Sequence, residues 1–308
     1  MYEYDKRVVL TLDAGGTNFV FSAIQGNNEM ISPIGLPAVS DNLDECLEVL
    51  VKGFDRVIAA IPVPPVAISF AFPGPADYEN GIIGDLPNFP SFRGGVALGP
   101  FLKHKYGIPV FIENDGNLFA YGEALSGALP MINRELSLAG CSREYKNLIG
   151  ITLGTGFGAG VVINKVLLTG DNGCGGDIWL MRNKKYPDML AEESVSIRAV
   201  RRVYSDLSGQ SSASLSPKDI YDIAEGIKEG NRHAAIASFN ELGMMAGAAI
   251  ASVLNVVDGL VVIGGGVAGA SKYILPALIT ELRAQLTTFS GNKFPCVSMQ
   301  VYNGEDES

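Results

Sequence analysis

The sequence is poor in the residues that build metal centres and disulfide frameworks. It has two histidines, His104 and His233, and four cysteines, and no two cysteines form a Cys-x-x-Cys pair. A structural zinc site takes about four such ligands at short spacings, so we expect no zinc framework. Scattered cysteines are typical of a reducing compartment.

Basic residues are also scarce. The chain has 23 Lys and Arg against 33 Asp and Glu, for a net charge of −10. This balance argues against a nucleic-acid surface, which depends on clustered basic side chains. It does not exclude ATP, because turn amides and magnesium bind phosphate without a basic patch.

No apolar run is long enough to predict a membrane span. The most apolar region, 242–263, is rich in glycine and is interrupted by Asn255 and Asp258, which predicts a buried helix followed by a strand. Residues 1–7 are charged and show no signal peptide. No low-complexity linker divides the chain. We therefore expect a soluble, cytoplasmic protein whose 308 residues form one large or two medium domains.

What the sequence does contain is a repeated pattern of apolar strand, glycine turn and returning strand. Residues 8–12 are apolar and β-branched, Asp13 follows, and alternation resumes at 19–24. The turn between them contains Gly15, Gly16, Thr17 and Asn18. Successive N–H groups in such a turn can hold phosphate, and Asp13 could hold magnesium through its waters. An ordinary hairpin with a turn-stabilising Asp is the alternative interpretation.

The pattern recurs twice. The strand at 148–153 leads into Gly154, Thr155 and Gly156 and then into a second apolar strand. The strand at 260–263 opens into a third glycine turn, which consists of Gly264, Gly265 and Gly266.

Between these turns, periodicity predicts a coarse order of elements. Apolar spacing of three and four predicts a helix over 41–60 and another over 232–256. A strand over 66–72, apolar on both faces, is expected at the centre of a sheet and delivers Gly74 at its carboxyl end. The remaining expectations are a loop-rich stretch at 78–99, a helix at 100–106, a strand at 110–112, a helix at 117–126, an irregular connection at 134–146, and a helix that begins at Ser216-Pro217 and ends at 230–231.

Five motifs in register resemble those of the ROK-family sugar kinases, within the actin-like ATPase superfamily. In chain order they are Asp13-x-Gly15-Gly16-Thr17-Asn18, Phe72-Pro73-Gly74-Pro75, Pro87-Asn88, Glu113-Asn114-Asp115-Gly116-Asn117 and Leu153-Gly154-Thr155-Gly156-Phe157-Gly158. The resemblance extends from about Val8 to about Gly269. It implies an α/β, two-lobed actin-like (ribonuclease-H-like) fold with an N-terminal lobe at 1–115, a C-terminal lobe at 116–308 and an active site in the cleft between them.

The resemblance also implies a chemistry, which is ATP-dependent phosphorylation of a hexose hydroxyl. Asp115 matches the family's catalytic base, although a helix N-cap is its alternative role. Sugar contacts are implied for Gly74, Asn88, Asn114, Asp115, Asp177 and Glu192. ATP contacts are implied for Asp13, Gly15, Gly16, Thr17, Asn18, Gly154, Thr155, Gly156, Gly264, Gly265 and Gly266. Mg²⁺ is expected on Asp13 through water, with no zinc site, no nucleic-acid or membrane partner, and a homodimer left open.

The chain departs from the family pattern in its sugar segment. Where the family has Gly-Glu-Ile-Gly-His, this sequence has Asp177 in place of Glu and Leu180 in place of His, and the usual cysteine-rich zinc loop is missing. The sequence also stops in a charged stub where the family continues into a closing helix, so either that helix is absent or the chain is cropped. The second hypothesis is therefore a weak or inactive sugar-binding sensor without a DNA-binding domain. An N-acetylhexosamine is another candidate acceptor, and an actin-like filament protein would leave Asn88, Asn114 and Asp115 unexplained.

Overall fold

The computed structural model describes residues 2–15, 18–85 and 90–304. The chain divides into two compact units. The first contains the residues up to Leu118 together with 170–173, and the second contains 119–169 and the residues from Cys174 onward. Each unit has an apolar core of its own.

The first unit is a mixed sheet covered by helices. Its strands are β1 (Val9–Ala14), β2 (Asn18–Gln25), β3 (Asn28–Glu29), β4 (Ile34–Pro37), β5 (Ala67–Ala71), β6 (Ala76–Asp77), β7 (Ile82–Ile83) and β8 (Val110–Glu113). Its helices are α1 (Leu43–Ala60) and α2 (Leu98–Tyr106), with a 3₁₀ turn at Pro90–Phe92.

The main sheet of this unit has the order β3-β2-β1-β5-β8, with β4 paired to β2. Strands β1 and β2 form the predicted antiparallel hairpin, whereas β1, β5 and β8 run parallel. The predicted central position of β5 is confirmed, because it lies between β1 and β8. Parallel strands end at the same edge of a sheet, so the residues that follow these three strands are neighbours.

Helix α1 confirms the amphipathic pattern predicted for 41–60. Its N-cap is Asn42, whose side chain accepts a hydrogen bond from the Glu45 N–H at 3.3 Å. The buried face includes Cys46, Leu50 and Phe54 and packs against β2 and β4. Burial of this face removes apolar surface from water and so attaches the helix to the sheet.

The second unit is built around a smaller sheet and several helices. Helix α3 (Asp115–Leu125) begins in the first unit and continues into the second. The other helices are α4 (Ala128–Leu138), α5 (Ile197–Ser208), α6 (Pro217–Glu225), α7 (Arg232–Val257) and α8 (Ser271–Leu282), with 3₁₀ turns at Ile178–Leu180, Ala191–Glu193 and Ala268–Ala270. The strands are β9 (Leu148–Leu153), β10 (Phe157–Ile163), β11 (Val166–Leu167), β12 (Leu260–Gly264), β13 (Gln285–Thr287) and β14 (Lys293–Pro295).

The second sheet has the order β11-β10-β9-β12. Strands β9 and β10 form the second predicted hairpin, and β12 runs parallel to β9. Helix α7 is long and apolar enough to cross a membrane by length and composition, but half of its most apolar window is buried inside the protein. It packs against α5, α6 and α8, which confirms the prediction of a buried core helix.

Two predictions for the second unit were wrong. The stretch 134–146 is not entirely irregular, because α4 continues to Leu138. The helix follows Gly127 and has no side-chain N-cap, so the sequence carries no capping signal for its start. Helix α6 ends at Glu225 rather than at 230–231, because Gly226 adopts a left-handed conformation (φ 77°) that terminates it.

Candidate active site

The carboxyl edge of the first sheet brings together several of the predicted site residues. In the sheet register Asp13 of β1 pairs with Ala71 of β5, and Ala71 pairs with Glu113 of β8. Gly74 follows β5, and Asn114 and Asp115 follow β8. The edge therefore presents two carboxylates, an amide and a close-packed glycine turn.

The start of α3 bears on the helix N-cap role that was the alternative for Asp115. Asn114 acts as the cap, since its Oδ1 accepts hydrogen bonds from the N–H groups of Gly116 (2.9 Å) and Asn117 (3.3 Å). Asp115 is the first helical residue and is exposed. Its Oδ1 accepts from the Gly116 N–H at 2.8 Å, and Oδ2 makes no hydrogen bond to any residue that the structure describes. Asp115 therefore keeps an available carboxylate oxygen at the helix N-terminus.

A partly buried network holds the end of β8 to α3, and the sequence analysis gave two of its members, Glu113 and Asn117, no role. The Glu113 Oε1 accepts from the Asn114 N–H at 2.8 Å and from the Asn117 Nδ2 at 3.0 Å. Asn117 is 6% exposed, and its Oδ1 has no hydrogen-bond partner among the described residues. The network joins the end of β8 to the first turn of α3 and so orients Asn114 and Asp115. The signal available in the sequence was that both residues lie inside the motif at 113–117.

Gly74 lies against Tyr78, which the sequence analysis also left without a role. A Cβ atom at Gly74 would lie 3.0 Å from the Tyr78 hydroxyl oxygen. That hydroxyl donates to the Phe72 carbonyl at 2.9 Å and accepts a long 3.5 Å contact from the Asn114 Nδ2. Tyr78 thus connects the end of β5 with the end of β8.

Asp13 is exposed at the end of β1, and no described residue donates a hydrogen bond to its carboxylate. Gly15 follows in the turn, and Asn18 is the exposed first residue of β2. The described residues contain no group of three or more His, Cys, Asp or Glu that could enclose a metal ion. A single unpaired carboxylate fits Mg²⁺, which keeps several waters and also takes phosphate oxygens.

In the second unit, two predicted glycine turns meet at the carboxyl edge of the sheet. Gly264 pairs with Thr152 in the parallel register of β12 and β9. Gly265 has φ +89°, and a Cβ there would lie 2.4 Å from the Leu153 carbonyl oxygen, so this position requires glycine. Gly266 faces open space, as does Gly154 in the β9–β10 turn, and Thr155 is exposed. The backbone at Gly154 and Gly266 is therefore open, whereas Gly264 packs against the Phe119 ring.

Glu192 lies against this same β9–β10 turn. Its Oε2 accepts from the Phe157 N–H at 3.0 Å, and its Oε1 lies 3.1 Å from Arg198 Nη2. A Cβ added at Gly156 would lie 2.6 Å from the Glu192 Oε2. The side chain is 20% exposed. Glu192 and Phe157 are 35 residues apart in the sequence, so no local sequence pattern predicts this contact.

The segment that departs from the family pattern forms a 3₁₀ turn. Asp177 is exposed and accepts a hydrogen bond from the Trp179 Nε1 at 3.2 Å. Trp179 is half-buried and packs against the core of the unit. Leu180 is 52% exposed, which is unusual for a leucine in a short helical turn. The predicted site residues Gly16, Thr17 and Asn88 lie outside the described residues.

The ROK family model matches residues 9–306. The chain belongs to the ROK family. This ROK protein is 67% identical to the glucokinase from Parabacteroides distasonis, whose crystal structure superposes with a TM-score of 0.85 over 91% of this chain and 79% of that one. It is 26% identical to the glucokinase of Thermotoga maritima, over 89% of this chain and 86% of that protein.

A third neighbour shares the fold at low identity. The ROK-family glucokinase of Streptomyces griseus, solved with glucose and AMPPNP, is 20% identical, with a TM-score of 0.67 over 90% of this chain and 88% of that one. The predicted family and the actin-like α/β fold class are confirmed by these matches. They support a sugar kinase of the glucokinase-like kind.

Proposed function

We propose that this ROK protein transfers the γ-phosphoryl group of ATP to a hydroxyl of a hexose, with Asp115 as the general base. The observation that carries the proposal is the start of α3. Asn114 supplies the cap, so the exposed Asp115 keeps an oxygen with no hydrogen bond to a described residue. If Asp115 were the helix N-cap, its own side chain would accept the N–H groups of the first turn that Asn114 accepts here.

The reaction needs such a group. As the hydroxyl oxygen attacks the γ-phosphorus, the bond to ADP breaks, and the hydroxyl proton passes to the carboxylate. The Glu113–Asn117 network keeps the base at the end of β8, where a bound sugar would meet it. Mg²⁺, when held through Asp13, would neutralise charge on the transferring phosphates.

The glycine turns are proposed to bind the nucleotide. Turn N–H groups without obstructing side chains suit phosphate, and Gly154, Thr155 and Gly266 have that character. Gly264 and Gly265, which pack closely against the second unit, are proposed to complete the nucleotide site. The first hairpin, with Gly15, Gly16, Thr17 and Asn18, is proposed for the same task. The AMPPNP bound by the Streptomyces griseus relative supports ATP as the phosphoryl donor.

The sugar is proposed to lie against side chains that can bond several hydroxyls. The proposed set comprises Gly74, Asn88, Asn114, Asp115, Asp177 and Glu192. The glucokinases among the relatives favour glucose as the first acceptor to test. The proposal also includes a cytoplasmic location, no zinc and no nucleic-acid partner, while homodimer formation stays an open question for gel filtration.

The test is a coupled ADP-release assay over hexoses and amino sugars, with Asp115→Asn beside the wild type. The variant should lose about 10²–10⁴-fold in kcat, because that is the usual contribution of a positioned base. Asp44→Asn, an exposed acid in the first turn of α1, removes the same charge from the same unit and should retain activity. If Asp115→Asn kept more than about half the wild-type rate, Asp115 would not be the base.

A sugar-binding sensor is the second candidate, and the exposed Leu180 favours it because leucine cannot bond a sugar hydroxyl. The same panel separates the two. Sugar binding detected by calorimetry without ADP release on any sugar would support the sensor and refute the kinase.

A further inference from the structure

The segment from the 3₁₀ turn at Ala191–Glu193 to the start of α5 holds the β9–β10 turn at two points. The Ile197 N–H donates to the Gly154 carbonyl at 2.9 Å. Three residues further along the turn, the Phe157 N–H donates to the Glu192 Oε2 at 3.0 Å. The turn is therefore held from one side by a neighbouring segment, at both of its ends.

The carboxylate is packed against the turn itself. Gly156 lies so close that a Cβ atom there would be 2.6 Å from the Glu192 Oε2, which is well inside van der Waals contact. The Glu192 side chain is 80% buried by this packing, since 20% of it is exposed. An ionised group in such a place needs a partner to offset the loss of hydration.

Arg198 is that partner. Its Nη2 lies 3.1 Å from the Glu192 Oε1 and 3.2 Å from the Glu193 Oε1, and its side chain is 54% exposed. The hydrogen bond to Glu192, and then the one to Glu193, raises the pKa of the Arg198 guanidinium above its usual value. The guanidinium is charged in any case, so it offsets the charge of the Glu192 carboxylate beside the turn, while its second partner, Glu193, is the more exposed of the two acids.

We infer that Glu192 and Arg198 are positioning residues of the phosphate turn, in which the carboxylate holds the turn in its binding shape and Arg198 cancels the carboxylate's charge. The inference rests on the proposed function, because it assumes that the β9–β10 turn takes nucleotide phosphate. A bare carboxylate at hydrogen-bonding distance from a turn N–H would repel that phosphate. Glu192 thus acts on the nucleotide in addition to the sugar contact proposed for it.

The test measures the Kd of the sugar-free protein for ADP in the presence of Mg²⁺ by isothermal titration calorimetry. Arg198→Gln should raise the Kd for ADP about five- to tenfold, the loss of one charged hydrogen-bonding partner. Adding Glu192→Gln to Arg198→Gln should restore the Kd to within about twofold of wild type, because the uncompensated charge is gone. Arg198→Lys, which keeps the charge, should lose less affinity than Arg198→Gln.

Steady-state kinetics adds a second readout. Arg198→Gln should raise the KM for ATP while kcat at saturating ATP stays within about twofold, because the residue touches neither the base nor the reacting atoms. Lys218→Gln is the matched control. It removes the same charge from an exposed i,i+4 pair with Asp222 in the second unit and should leave the Kd for ADP unchanged.

Failure of this inference and failure of the proposed function give different results. A Kd for ADP in Arg198→Gln equal to that of Lys218→Gln, or a change confined to the KM for sugar, would overturn the inference. Failure of the wild type itself to bind ADP would instead refute the proposed function. If a melting scan shows that Arg198→Gln does not fold, Gly156→Ala tests the same contact. It displaces the carboxylate and should weaken ADP binding more than Gly154→Ala, whose Cβ meets open space.

Discussion

The two strand–glycine turn–strand hairpins look alike in sequence, yet the protein supports them differently. The β1–β2 hairpin carries its own carboxylate, Asp13, which is exposed and receives no hydrogen bond from a described residue. The β9–β10 hairpin has no acid of its own. Its turn is instead held by Glu192, by the Ile197 N–H, and by the contact of Gly265 with Leu153.

The same contrast extends to the two sheet edges. The edge of the first sheet presents acids and amides, which suit metal binding and proton transfer. The edge of the second presents glycine backbone, which suits phosphate. The difference teaches that a shared hairpin pattern predicts an anion-binding turn but does not say which chemistry its surroundings add.

Asp13→Asn tests the contribution of the β1–β2 hairpin and should have a large effect on turnover. It keeps the shape but removes the charge that would hold Mg²⁺, so kcat should fall by about a hundredfold, with activity recovering in part at high Mg²⁺. The measurement is a Mg²⁺ titration of the coupled assay with Asp44→Asn as control. A variant with an unchanged rate and Mg²⁺ dependence would remove Asp13 from the metal site.

Gly265→Ala addresses the second edge. The substitution combines a left-handed φ with a Cβ 2.4 Å from a backbone oxygen, and it should lower the free energy of unfolding by about 1–3 kcal/mol. Gly266→Ala, one residue along and facing open space, is the matched control. The free energy of unfolding of both variants is measured by denaturant titration. Equal values would show that the backbone at Gly265 is not constrained.

The segment with Asp177 and Leu180 tests whether the second unit also contributes to sugar binding. The double change Asp177→Glu with Leu180→His restores the family pattern and adds hydrogen-bonding groups that each contribute about 0.5–1.5 kcal/mol. We expect kcat/KM on glucose to rise about tenfold, measured in the coupled assay. No rise, together with strong wild-type activity on another sugar, would mean that the segment is built for that substrate.

Asn117→Ala should have the smallest effect. It removes the Asn117 Nδ2 bond to Glu113 and loosens the loop that orients Asp115, so kcat should fall about fivefold with little change in the KM for ATP. Asn80→Ala removes the same kind of bond, an amide to Asp77, at an exposed site and serves as the control. Equal kcat values for the two variants would show that the buried network does not position the base.

The parts of the fold that sequence predicted are those with strong local signals. Both hairpins, the central strand β5 and the helix α1 follow from apolar periodicity and glycine turns. Helix α4 was missed because Gly127 precedes it in place of a capping side chain, which leaves no start signal to detect. The end of α6 was misplaced because Gly230-Asn231 is also a stop signal, whereas the left-handed Gly226 ends the helix earlier.

The candidate site divides in the same way. Asp13, Gly74, Asn114 and Asp115 could be placed at strand ends because parallel strands end at a common edge. The support of the second turn could not be foreseen, since Glu192 reaches Phe157 only through the tertiary fold. Arg198 has no motif at all and is recognised only from its distance to Glu192.

The most direct test of a division of labour between the two edges is the affinity of Asp115→Asn for ADP, measured by calorimetry alongside its turnover. The proposed base, Asp115, lies in the first unit, and the β9–β10 turn proposed for nucleotide lies in the second. The account predicts a Kd within about twofold of wild type while kcat falls at least about a hundredfold. A kcat close to wild type, or a loss of ADP affinity as large as the loss of turnover, would contradict it.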